Sequence, residues 1–314
     1  MIKPRSAFID ADDIRLHYLE WDPEYLRNCV LVRPEQFPNE QNSDNIPIVL
    51  LHGLSATAET WQLVAEHLCW QHYLIAFDQR GHGQSDQPDH GYDLVTIAED
   101  TIRGMATLGL GQVALVGHGW GARVALVLAA RHPALVSHLI LVDCPHVEPR
   151  HWPGMTRDRF IRTRAPKELY ASRETFLQTL RQEMPSFWSP EVEAIFLSYI
   201  RELPDGQVEE QLQAEHQRQI RESLWDDRAL PYYSKVTCPI LLIPAATQPQ
   251  PGEEPPERLE NADEFAAAKG YMAEQVARAI QRGAVLWMPD TAHDIQLQRP
   301  QQLAQAIIDF VREW

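Results

Sequence analysis

The stretch ALVGHGWGARVAL, residues 114–126, decides how the chain is read. Small and β-branched apolar residues run into Gly117-His118-Gly119-Trp120-Gly121, and a helix-forming Ala-Arg-Val-Ala-Leu follows at once. That is the layout of a strand, a sharp turn and a helix. The residue at the tip of the turn is Gly119, so a bend built to display a side chain displays a hydrogen atom.

Outward from this turn the same pattern repeats. IPIVLLHG (46–53), HYLIAFDQRGHG (72–83) and LILVDCP (139–145) each hold a continuous apolar run that ends in a loop, as buried parallel strands do. Helical spacing lies between them, at about 58–70, in DLVTIAEDTIRGMATLGL (93–110) and in ARVALVLAARHP (122–133). Strand alternating with helix predicts an α/β fold with a doubly wound, mostly parallel sheet. Right-handed crossovers then bring the loops after the strands to one edge, where such sheets bind ligands. His52, Gly119 and Asp143 all follow strands directly.

Two strand-like pieces, AFIDADDIRLHYLEW (7–21) and NCVLVRP (28–34), precede this core, and the polar segment EQFPNEQNSDN (35–45) reads as a surface loop. From about 147 to 232 the pattern is helical and charged, broken by Pro and Gly, with no convincing strand. Strand signals resume at CPILLIPAA (238–246) and AVLWMP (284–289), with a helix expected over 262–282 and another in PQQLAQAIIDFVREW (300–314). The segment QPQPGEEPPE (248–257) reads as a solvated loop. The expected organisation is a core of residues 1–146 and 233–314 interrupted by a helical cap subdomain over 147–232.

Composition narrows the partners. Lys plus Arg number 28 against 44 for Asp plus Glu, a formal charge of −16, which repels phosphate backbones and anionic lipid surfaces. No nucleic-acid partner is expected. No apolar run reaches the roughly 18 residues of a membrane helix, and the N-terminus has no apolar secretion core, so the expectation is no membrane span and a cytoplasmic protein. Cys29, Cys69, Cys144 and Cys238 are scattered without a C-x-x-C pair and read as free thiols. Neither a Walker loop nor a G-x-G-x-x-G after the first strand is present, and no His-carboxylate cluster has metal spacing, so no cofactor or metal is expected.

HGLSATAETW (52–61), DQRGHGQSD (78–86), VGHGWG (116–121), LVDCP (141–145) and DTAHDIQLQRP (290–300) resemble, in that order and spacing, the α/β-hydrolase superfamily. The likeness covers nearly the whole chain and is nearest in motif to the epoxide hydrolase and haloalkane dehalogenase branch. It implies that Gly119 stands at the nucleophile position, with Gly117 and Gly121 where a Cβ would meet backbone. The N–H groups of Trp120 and Leu54 would form an oxyanion hole. His293 would be the general base. Its carboxylate partner would be Asp143, since the loop after CPILLIPAA has no acid before Glu253.

Around the tip, G-H-x-W-G-A-R-V-A resembles enzymes in which x is Asp and forms an alkyl ester; serine esterases carry Ser there. Trp120 matches a halide-contacting Trp, although Leu54 stands where many dehalogenases have Asn. Arg123 corresponds to an arginine that helps hold fluoroacetate, yet the arginine expected after the tip is Trp120. Cap tyrosines polarise the epoxide oxygen in epoxide hydrolases, and Tyr170 and Tyr199 are the candidates here, with Tyr232 and Tyr233 at the cap exit. Trp152, Trp188 and Trp225 read first as packing and second as pocket lining, and Asp78, Arg80 and His82 as loop supports.

The function so implied is hydrolysis of a small apolar organic substrate of epoxide, haloalkane or ester type, by a monomer or homodimer. Loss of the nucleophile from a comparable triad costs about a millionfold in turnover and leaves roughly 10³ to 10⁴ over water. Three readings of Gly119 stay open: a latent enzyme, a water-mediated enzyme working through His293 and Asp143, or a protein that binds a small ligand without turning it over. Cys144 and Ser55 lie near enough to be substitute nucleophiles but lack the elbow.

Overall fold

The structure, a computed structural model, describes residues 2–25, 46–143, 148–151, 154–162, 170–184, 187–246 and 275–314. Its centre is an eight-stranded sheet. β1 (Arg5–Ala11), β2 (Ile14–Trp21), β3 (Ile48–Leu51), β4 (Leu74–Phe77), β5 (Val113–His118), β6 (Val136–Val142), β9 (Ile240–Ile243) and β11 (Gly283–Val285) lie in the order β1-β2-β4-β3-β5-β6-β9-β11. β1, β2 and β4 pair antiparallel, and every pairing from β4 to β11 is parallel. The expected α/β fold with a mostly parallel sheet is therefore the observed one.

β3, β4 and the apolar part of β5 are buried along their whole length, which is why they read as unbroken apolar runs. Helices cover both faces. α1 (Gln62–Leu68) and α10 (Pro300–Glu313) pack against one; α2 (Leu94–Thr107) and α3 (Trp120–Arg131) pack against the other. α3 is buried from Trp120 to Ala130 and apolar there except for Arg123, as the helix behind the central strand must largely be.

The predicted strand AVLWMP forms in two pieces. β11 joins the main sheet, whereas β12 (Met288–Pro289) pairs with β10 (Ala245–Ala246), and Leu286 and Trp287 between them are exposed. Pro244 explains the break, because it has no N–H to carry the ladder through.

Between β6 and β9 lie the short helices α4 (Arg157–Arg162), α5 (Arg173–Glu183), α6 (Pro190–Leu197), α7 (Ala214–Asp226) and α8 (Leu230–Tyr233). The expectation of a segment without strands is corrected here: β7 (Ile200–Glu202) and β8 (Val208–Glu210) form an antiparallel hairpin. Each has three residues, too few for a period to show, but the turn between them carries Pro204-Asp205-Gly206, with Gly206 at φ 84°. Phe176, Val192, Phe196, Ile200 and Val208 make a small apolar cluster that Leu297 joins from outside the segment. The predicted strand over 28–34, the loops over 35–45 and 248–257, and most of the helix over 262–282 lie outside the described residues; 275–279 are helical.

Candidate active site

β5 delivers the chain to the elbow. Gly119 has φ 54° and ψ −117°, a conformation that L side chains enter only under strain, and its N–H donates to the Val142 carbonyl at 3.0 Å. A Cβ at Gly117 would stand 2.4 Å from the Gly121 carbonyl oxygen, and one at Gly121 would stand 2.3 Å from that of His52. The turn closes only because both are glycine. α3 then starts at Trp120, whose N–H is the first of the helix and has no intrahelical acceptor.

Asp143, one residue past β6, is held at φ 41°. Its N–H donates to the Ile243 carbonyl at 2.8 Å, and its Oδ1 accepts the Ala245 N–H at 2.8 Å. The other oxygen, Oδ2, lies 2.7 Å from Nδ1 of His293. A carboxylate there accepts the Nδ1 proton and leaves Nε2 as the ring's acceptor. Nε2 points at the elbow, 3.1 Å from where a Cβ on Gly119 would be. Residues 119, 143 and 293, which are widely spaced in sequence, thus meet at one sheet edge.

The loop that carries His293 is pinned from several sides. Gln298 accepts the Ala292 N–H at 2.7 Å and donates to the Asp290 carbonyl at 3.1 Å, and Thr291 donates to the Met288 carbonyl. His118 Nε2 donates to the His293 carbonyl at 2.9 Å, and the two imidazoles face each other with centroids 4.5 Å apart. Burial, and then the adjacent His293, push the His118 pKa down to about 4, so this ring is neutral and donates from Nε2. His118 escaped the sequence reading. Its signal was an imidazole placed between the two glycines of a buried turn.

The opposite wall is also built on neutral imidazoles. His52 donates from Nδ1 to the Gly53 carbonyl at 2.8 Å and accepts the Gln79 N–H at 3.1 Å. His82 donates from Nδ1 to the Arg80 carbonyl at 3.0 Å and accepts the Ser55 N–H at 3.2 Å. Burial lowers both pKa values, that of His82 to about 3. His82 stacks on Trp120 at 5.1 Å, so the loop holding Leu54 and the start of α3 are clamped together. The Leu54 N–H has no acceptor among the described residues. Asp78, Arg80 and His82 serve the loops, as expected, with Arg80 paired to Asp100 at 2.7 Å.

The remaining candidates are engaged with partners other than His293. Arg123 is buried on α3 and ion-paired with Asp227 at the end of α7; a guanidinium so engaged ties α3 to the segment between β6 and β9 and is not presented to a carboxylate substrate. Tyr170 bridges to Val208 through its backbone and packs its ring edge-on against Phe176 at 5.1 Å. Tyr199 hydrogen-bonds Thr60, and burial beside Asp294 raises its pKa, so the phenol stays protonated. Tyr232 bonds Asp227, Tyr233 is buried, Trp188 stacks on Phe196 and Trp225 packs against Phe160. Trp152 and Cys144 lie outside the described residues, and so do Glu253 and Cys29. Cys69 and Cys238 are free thiols, pushed by burial to about 12 and about 11.

Among the described residues no helix is long and apolar enough to cross a membrane, and no cluster of three His, Cys, Asp or Glu could hold a metal.

The family model described as "Alpha/beta hydrolase family" matches residues 48–306. Over 112 residues the chain is 35% identical to 2-(acetamidomethylene)succinate hydrolase of Mesorhizobium japonicum, covering 35% of this chain and 40% of that protein. It is 28% identical over 141 residues to epoxide hydrolase 2 of Caenorhabditis elegans, covering 44% of this chain and 34% of that one. The matches therefore span well under half of these relatives' lengths. In three dimensions the chain is similar to the crystal structure of E-2-(acetamidomethylene)succinate hydrolase, with a TM-score of 0.76 at 22% identity over 98% of this chain and 99% of that one.

Proposed function

Because the chain belongs to the α/β-hydrolase family, as the match over residues 48–306 establishes, we propose that Gly119 stands in the nucleophile's place of a hydrolase site and that His293, oriented by Asp143, acts on water there. The observation that carries this is one geometry: Asp143 Oδ2 at 2.7 Å from His293 Nδ1, with Nε2 of the same ring turned to the elbow tip. The substrate class is a small organic electrophile of epoxide, haloalkane or ester type, as the resemblance to epoxide hydrolases and other hydrolases supports.

Glycine cannot form a covalent intermediate, so the water must attack carbon directly. His293 Nε2 takes a proton from that water, and the imidazolium formed is stabilised by Asp143. The imidazolium then returns the proton to the leaving oxygen or, where halide departs as the anion, releases it to solvent. Trp120 and Leu54 N–H groups supply the charge-stabilising donors when the electrophile is a carbonyl. Such a site lacks the attack step of a full triad, so its turnover is slow.

The test compares the unaltered chain with Gly119→Asp, Gly119→Ser and His293→Ala on a panel of epoxides, haloalkanes and esters. Water attack predicts measurable turnover that His293→Ala lowers by about a hundredfold or more. Gly119→Asp is expected to raise epoxide or haloalkane turnover, and Gly119→Ser to raise ester cleavage. Turnover indifferent to His293 overturns the mechanism. Tight binding without product in all four proteins selects the alternative, a ligand-binding protein on a hydrolase scaffold.

A further inference from the structure

The hydroxyl of Ser6, on β1, lies 2.8 Å from Nε2 of His17 on β2, and Nδ1 of His17 lies 2.7 Å from Asp78 Oδ2 in the loop after β4. None of the three belongs to the site at Gly119. The antiparallel register sets Phe8 opposite His17 and Ser6 opposite Leu19, so Ser6 and His17 are diagonal neighbours on one face. His17 is buried, with its ring 5.0 Å from that of Phe8. Its backbone is fixed as well, the N–H donating to Ser85 Oγ at 2.8 Å and the carbonyl accepting the Asp78 N–H at 2.9 Å.

Asp78 is the anchor of this arrangement. Its Oδ1 accepts the Ala58 N–H at 2.7 Å, and its Oδ2 accepts the Gln84 N–H at 2.9 Å in addition to His17. Burial favours the neutral acid, but the His17 hydrogen bond, the neighbouring imidazoles and the Ala58 N–H outweigh it and hold the carboxyl below its ordinary range. An ionised Asp78 takes the Nδ1 proton. In the neutral ring this leaves Nε2 as the acceptor and the Ser6 hydroxyl as the donor.

Serine donating to imidazole, and imidazole donating to a buried carboxylate, is the order of an activated nucleophile, recognised by geometry and roles and not by position in the chain. Two more features fit a reacting centre. Ser6 is exposed, so an acyl donor can reach Oγ. The Gln84 side-chain nitrogen lies 3.4 Å from His17 Nε2, placing a neutral N–H donor beside the reacting pair. On its other side from Ser6, which does not line it, His17 borders with Gln84, Thr57, Glu59 and Asp78 a cavity of about 210 Å³.

We propose that Ser6, His17 and Asp78 form a second, acyl-accepting site that reacts with small activated esters and works independently of residues 119, 143 and 293. Ser6 Oγ bonds to the carbonyl carbon as its proton passes to His17 Nε2. The bond from carbon to the leaving oxygen breaks, and the imidazolium returns the proton to that oxygen. Acyl-Ser6 remains until water, deprotonated by His17, attacks the ester, releases the acid and restores the hydroxyl.

The full chain is treated with p-nitrophenyl acetate, and acetylated peptides are located by mass spectrometry. The expected result is acetyl-Ser6 forming on the order of a hundredfold faster than at other exposed serines, the size of a general-base contribution. The adduct is released by hydroxylamine and absent from Ser6→Ala. His17→Gln, its fold checked by circular dichroism, is expected to lose the preference, whereas His293→Ala keeps it. No preferential acetylation of Ser6, or a preference that survives His17→Gln, overturns the proposal. Should His17→Gln fail to fold, Ser6→Cys decides: paired with His17 its thiol is expected to react with iodoacetamide at least about tenfold faster than free cysteine at pH 7, and an ordinary rate overturns the proposal.

Discussion

A methyl group added at residue 121 would lie 2.3 Å from a backbone oxygen of β3's end, whereas one added at residue 119 would meet only the edge of the His293 ring, at 3.1 Å. Backbone cannot move aside cheaply; a ring at the end of a rotatable side chain can. Gly121→Ala is therefore expected to cost about 3 kcal/mol through overpacking, and Gly119→Ala about 1–2 kcal/mol through its left-handed backbone alone. Urea unfolding midpoints of the two variants measure the difference, and an equal loss would contradict the packing of the elbow. Any side chain at residue 119, reactive or not, carries the same backbone strain. Gly119→Asp and Gly119→Ser should accordingly gain turnover while losing stability, the exchange that active sites commonly show.

At the scale of elements, α2 shows how much a single cap holds. Asp93 accepts the N–H groups of Val95 and Thr96 at 3.1 and 3.0 Å and the Thr96 hydroxyl at 2.6 Å. Burial raises its pKa, but these three donors outweigh it, so the carboxyl titrates below its ordinary value. Asp93→Ala is expected to lower stability by about 1 kcal/mol at pH 7, and Asp93→Asn to keep most of it. A group with a depressed pKa gives its stabilisation above the unfolded value and loses it as pH falls toward the folded one, so the Ala variant should differ least from the parent at the acid end of a pH series of urea melts. Caps, apolar runs and turn residues of this kind are local, and so β3, β5 and β6 and their helices could be read from the chain. The β7–β8 hairpin could not, because three-residue strands carry no period. The pairing of Asp143 with His293 was legible only through family resemblance, and the relay from Ser6 to Asp78 not at all, since both join residues that only the folded sheet brings together. Arg123 misled because its carboxylate partner, Asp227, lies 104 residues away, just past α7.

Over the whole molecule, two effects of acid oppose each other. The chain carries a formal charge of −16 at neutral pH, and acid removes that self-repulsion, which favours the compact state. Six buried histidines, His52, His72, His82, His118, His138 and His216, act the other way, each with its pKa lowered first by burial. Below the ordinary histidine value of about 6.5 the unfolded chain binds protons that the folded chain refuses, so stability falls with pH. The loss continues down to the folded values, about 4 for His118 and about 3 for His82. Each such group contributes a slope of up to about 1.4 kcal/mol per pH unit where only the unfolded state is protonated, and His118 and His82, with the lowest folded values, carry it furthest toward acid, against the relief of a diffuse surface charge that salt already screens. Between pH 6.5 and 4.5 the urea midpoint, followed by tryptophan fluorescence at constant ionic strength, is expected to fall steadily. Protonating His52 or His82 would also remove the acceptors of the Gln79 and Ser55 N–H groups, so the wall beside Trp120 should loosen first, seen as faster amide exchange there than in α10. His118→Gln should flatten the pH slope by about one proton. A midpoint that rises as the charge is titrated away would show that repulsion governs the fold, and that these imidazoles accept protons where they stand.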